Sequence, residues 1–143
     1  MATVELRFSA LPEHVRTARL VAAAVARRAG VDEAVLDEVR LAVGEACTRA
    51  VGLHQHGGIT APVNVSLIEE EKQFSIEVGD RAPHAAPGAG TPGTVADDAE
   101  TEEDEMGLAV ISGLVDDVEV TAGEDGGRIR MTWPTASAVL PSV

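Results

Sequence analysis

Glu45 and Arg49 stand four residues apart in the stretch Glu45-Ala46-Cys47-Thr48-Arg49-Ala50, a spacing that puts both on one side of a helix. Such a pair is either a surface ion pair, worth roughly a few tenths of a kcal/mol, or the rim of a polar site in which a carboxylate takes a proton. Asp80 closes the apolar run Phe74-Ser75-Ile76-Glu77-Val78-Gly79 and opens a stretch rich in proline and glycine. A binding residue can be held there rigidly beside a mobile cover, although an Asp at a strand end can equally cap a turn. Met106-Gly107-Leu108, with Gly113 beyond, offers a glycine and helix-terminal amides that a phosphate could approach. Gly44, inside the helical stretch, costs about 1 kcal/mol against Ala and hints at close approach by another group. His54 and His56 have no cysteine or carboxylate at a spacing that completes a zinc site, so they read as a polar helix end. Neither a Ser, His and Asp grouping nor a Walker-type glycine-rich loop is present.

The elements that must carry these residues follow from periodicity. Val4, Leu6 and Phe8 alternate with Glu5 and Arg7, the pattern of a half-buried strand over Thr3 to Ser9. With Pro12 at the first helical position, Val15, Ala18, Val21, Ala22 and Val25 recur at helical spacing from Glu13 to Ala29. Asp32 is the expected N-cap of a second helix, along which Leu36, Val39, Val43, Ala46 and Ala50 form an apolar stripe ending near Gly52 to His56. Val63, Val65 and Leu67, then Phe74, Ile76 and Val78, predict a hairpin. From Arg81 to Glu105 periodicity stops, and a long mobile loop with an acidic second half is expected. Met106 to Leu114 reads as a helix with an acidic start. A last hairpin runs from Val118 and Val120 through the turn Gly123 to Gly127 and back along Ile129, Met131 and Trp133. This order lacks the regular strand and helix alternation of a doubly wound sheet. It predicts a two-layer α+β sandwich with a mixed, mostly antiparallel sheet and helices on one face. The expected domain covers residues 1–134, with a lid at about 81–105 and a tail at 135–143.

Composition narrows the function. At 143 residues the chain fits one domain, and with aromatics at 2% its core must be aliphatic. A net charge of -13 argues against unassisted nucleic-acid binding, which rests on clustered Lys and Arg. Cys47 is the lone cysteine, so no internal disulfide forms. With no signal-peptide pattern and no apolar run long enough to span a bilayer, a reducing cytoplasm is the expected compartment.

The collinear set of Phe8-Ser9-Ala10-Leu11, Ala18-Arg19, Glu45 to Ala50, Asp80 and Gly107-Leu108 resembles the RsbW/SpoIIAB anti-sigma factor serine kinases over roughly residues 3–133. These belong to the superfamily of histidine kinases, heat-shock chaperones and gyrase. The resemblance implies a Bergerat-type ATP-binding fold and a homodimer. It also implies partner switching between a sigma factor and a STAS-type anti-sigma-factor antagonist. By position, Glu45 matches the general base for phosphoryl transfer to serine. Asp80 matches the adenine-reading acid, Gly107 and the adjoining Leu108 match the phosphate-side backbone, and Arg19 matches the partner-contacting arginine. The family's magnesium-ligating asparagine is Arg49 here, a cation that suits phosphate oxygens but also tends to pair with Glu45. The family's Asp-x-Gly-x-Gly reads Asp80-Arg81-Ala82-Pro83-His84, so Ala82 and His84 replace glycines that allow close approach. Two readings follow: an ATP-binding protein serine kinase acting on the antagonist, or a non-catalytic module of the same fold that sequesters a partner without nucleotide. Both require Glu45 and Asp80 to meet in one pocket.

Overall fold

The computed structural model describes residues 2–83, 102–115 and 117–135. In chain order it contains β1 (Ala2–Phe8), α1 (Pro12–Ala29), a single 3-10 turn (Glu33–Val35) and α2 (Leu36–Gly57). These are followed by β2 (Val63–Glu69), β3 (Gln73–Asp80), α3 (Glu102–Leu114), β4 (Asp117–Gly123) and β5 (Gly126–Pro134). The strands form one sheet in the order β1-β2-β3-β5-β4, and every pairing among them is antiparallel. Both expected hairpins are present, β2 with β3 and β4 with β5.

Strand parity decides what faces the helices. Val63, Val65 and Leu67 of β2, Phe74, Ile76 and Val78 of β3, and Ile129, Met131 and Trp133 of β5 are buried together with the α1 and α2 stripes. Removing these apolar surfaces from water supplies the main drive for closing the two layers. The opposite sheet face is polar. There Arg130 donates from Nη1 to Glu77 at 2.8 Å and from Nη2 to Glu70 at 3.2 Å, and the Ser75 and Thr132 hydroxyls lie 3.0 Å apart.

Several boundaries differ from expectation for local reasons. Asp32 caps the 3-10 turn rather than α2 itself, accepting the Ala34 N–H at 3.0 Å. α3 begins at Glu102, not Met106, so the helix takes in residues expected in the loop. At the other end, Thr135 is buried and its N–H donates to the Lys72 carbonyl at 3.3 Å, which ties the start of the expected tail to the β2–β3 turn.

Candidate functional site

α2 is the rod on which the site is built. Its stripe of Val39, Val43, Ala46, Cys47, Ala50 and Leu53 is buried against the sheet, which fixes the rotation of the helix. That rotation carries Arg49 inward, to 5% exposure, and its Nη1 lies 4.0 Å from Oδ2 of Asp80, whose side chain is 3% exposed. Asp80 continues the inward parity of Phe74, Ile76 and Val78 on β3. Its Oδ1 accepts the Ala82 N–H at 2.9 Å and the Gly127 N–H at 3.2 Å. A carboxylate withdrawn from water needs such partners, since an uncompensated buried charge is strongly destabilising. The sequence expectation that Arg49 pairs with Glu45 is therefore corrected. Among the described residues the ion pair it makes is with Asp80, and Glu45 is half-buried one turn back along α2.

His54 is the residue that sequence reasoning missed. It is fully buried, with Nδ1 2.9 Å from the Ala61 carbonyl, and its Nε2 accepts the Arg81 N–H at 2.8 Å. Those two bonds require the neutral ring with its proton on Nδ1. The signal was present in the spacing, because position 54 extends the stripe by one turn from Ala50. His54 thus joins the end of α2, the segment before β2 and the exit of β3. His56, by contrast, is exposed and fits the polar helix end expected of both.

The β4–β5 turn closes on the same point. Gly126 has φ of 138°, and a Cβ there would stand 2.1 Å from the Asp80 carbonyl oxygen, so only glycine fits. Ala82, at one of the substituted glycine positions, is fully buried with its N–H held by Asp80, while His84 lies outside the described residues.

The remaining sequence-predicted residues are dispersed. Gly107 and Leu108 lie inside α3 rather than ahead of it, beyond the first turn whose amides lack helical partners. Arg19 is exposed on α1, with its side chain across Gly44 of α2, so the close approach inferred for that glycine is by an arginine stem. Burial pushes the Cys47 thiol from 9.0 up to about 12, which keeps it protonated and chemically quiet. Among the described residues no group of three or more His, Cys, Asp or Glu could hold a metal ion, and no helix is long and apolar enough to cross a membrane.

Comparison with known proteins agrees with this architecture. The histidine kinase-like ATPase domain family matches residues 8–133. The serine-protein kinase RsbW of Bacillus pumilus is 30% identical over 136 residues, covering 90% of this chain and 83% of that relative. The serine-protein kinase RsbW of Oceanobacillus iheyensis is 31% identical over 78 residues, covering 54% of this chain and 49% of that relative, about half its length. A crystal structure of the RsbU and RsbW domains of a Mycobacterium tuberculosis protein superposes with a TM-score of 0.66 at 17% identity. That likeness covers 92% of this chain, which spans 31% of the length of the larger protein, and it shows the fold. The five-stranded antiparallel sheet with helices on one face, the match from β1 to β5 and the similarity to a kinase of comparable length lead to one statement: the chain belongs to the histidine kinase-like ATPase domain family, as an RsbW-like member.

Proposed function

We propose that the protein is a partner-switching anti-sigma factor that sequesters a sigma factor or its STAS-type antagonist through protein contacts, as a homodimer, without needing nucleotide. The observation that carries this reading is the buried Arg49 beside Asp80. The acid that would read an adenine already has an internal cation and two backbone donors. The residues present also do not fit magnesium, because Arg49 brings positive charge where an oxygen ligand is needed. Calorimetry with ATP and ADP, with and without magnesium, tests the reading beside titrations with a recombinant sigma factor and antagonist. Partner binding that is unchanged by nucleotide is the expected result; micromolar, magnesium-dependent ATP affinity would overturn it.

A second reading, an ATP-dependent protein serine kinase acting on the antagonist, is favoured by Glu45. This carboxylate is half-buried on a rigid helix and is not consumed by an ion pair with Arg49. In that reading Glu45 accepts the serine proton and the protein supplies mainly positioning and charge stabilisation. Phosphoserine on the antagonist after incubation with labelled ATP, lost in Glu45→Gln, is its signature.

A further inference from the structure

We propose that the free edge of β4 adds an extended, basic segment of a partner protein to the five-stranded sheet as a further strand. In that segment apolar residues alternate with lysine or arginine.

β4 is an outermost strand, hydrogen-bonded to β5 on one side only. Alternate residues along it therefore turn their N–H and C=O groups away from β5, toward no other strand of the sheet, which is the template that strand addition uses. Its side chains are as open as its edge: Asp117, Glu119, Val120, Thr121 and Ala122 are all exposed. Val118 packs against the core, but Val120, two residues on, is 50% exposed and is the most exposed large apolar side chain on any described strand. β1, the other edge, differs. Its Val4, Leu6 and Phe8 are half-buried against the core, and it carries Arg7 as well as Glu5.

Charge selects the occupant. Asp117 and Glu119 lie opposite Thr132 and Arg130 on the polar face of the sheet, while Val118 and Val120 lie opposite Met131 and Ile129 on the inner face. Residues 117–126 hold four carboxylates and no Lys or Arg. The cations of the neighbouring strand are turned the other way: Arg130 bonds Glu77 and Glu70, and Arg128 pairs with Glu77 at 3.5 Å. Asp117 and Glu119, in no ion pair among the described residues, line a polar cleft of about 270 Å³ with Gln73, Arg130 and Thr132. An added strand of alternating type lays its cations beside these two carboxylates and its apolar residues beside Val118 and Val120. A second copy of β4 brings the same carboxylates and no cation, so like charges disfavour self-pairing here.

The test uses the full chain and a labelled synthetic heptapeptide that alternates valine with lysine, with binding followed by fluorescence anisotropy at constant salt. Two controls share its length: one with the same residues sorted into a valine block and a lysine block, the other alternating valine with glutamate. The alternating basic peptide should bind about tenfold more tightly than either control. On binding, hydrogen exchange should slow at β4 amides and stay unchanged at those of β1. Glu119→Gln should raise Kd about fivefold and Val120→Thr about threefold. Glu5→Gln, the same loss of charge at the opposite edge, should stay within about twofold, because exposed charges beyond about 8–10 Å are screened. Thermal unfolding of all three variants should match the wild type, since these side chains are exposed. Equal affinity for the block peptide, absence of binding, protection away from β4, or an equal loss in Glu5→Gln would each overturn the site. So would a dimer that Val120→Thr converts to monomer, which would assign the edge to a second copy. The probe is a peptide, so failure of the anti-sigma reading leaves this result standing.

Discussion

Asp80 and Arg49 face one another across 4.0 Å in the interior, so the end of the central strand β3 is tied electrostatically to the middle of α2. Each of these buried groups offsets part of the other's cost of leaving water. Their pairing determines what happens when either is changed.

Arg49→Asn removes the cation and leaves the carboxylate buried. A loss of about 3 kcal/mol is expected, the lower end for breaking a buried pair because two backbone donors remain. Urea unfolding followed by emission of the buried Trp133, the single tryptophan, measures it. Combined with Asp80→Asn, the double-mutant cycle should return a coupling of about 1–3 kcal/mol. In the same variant, magnesium and ATP should raise the unfolding midpoint, as a ligand that binds the native state does, with no such rise in the wild type.

His54→Phe keeps an aromatic side chain, though a larger one, and removes the hydrogen bonds to the Ala61 carbonyl and from the Arg81 N–H. The expected loss is about 2–4 kcal/mol. Amide exchange should quicken first at Arg81 and Ala82, a local opening at the exit of β3 before global unfolding.

Gly126→Ala combines a positive φ with a collision against the Asp80 carbonyl oxygen. Destabilisation by about 3 kcal/mol or more is expected. In contrast, Gly123→Ala meets no atom within 4 Å of its new methyl and serves as the control in the same turn.

Alkaline pH provides a test of the core. The Cys47 thiol ionises near 9.0 when unfolded and near about 12 when folded, so the unfolded state sheds the proton first. Above pH 9 stability should therefore fall by about 1.4 kcal/mol per pH unit until the folded value is reached. Cys47→Ala should abolish that slope. Tyrosine is absent and Lys72 is the single lysine, which leaves few other groups titrating in the window.

Much of this architecture could be read from residue order. Asp80 continues Phe74, Ile76 and Val78 by twos, so its inward position in the structure agrees with strand parity. The α2 stripe and both hairpins followed from period alone. What escaped was decided by tertiary contact. Arg49 reads as a surface residue until the sheet supplies a buried acid, and His54 reads as a polar helix end until the exit of β3 offers it an amide. The start of α3 was hidden because the acidic run 102–105 carries no apolar periodicity to announce a helix. The Arg19 stem was legible only as an unexplained glycine on the neighbouring helix.

α2 runs 22 residues, about 33 Å at the usual rise, and carries positions 45, 49 and 54 on one continuous backbone. Its register is set mainly by the aliphatic stripe, to which buried His54 and Arg49 each add one tie to the sheet. A single codon at position 49 thus decides whether the acid at the end of β3 meets a cation carried by α2. In such a fold one helix position can reset the electrostatics of the pocket edge while the layers around it keep their packing.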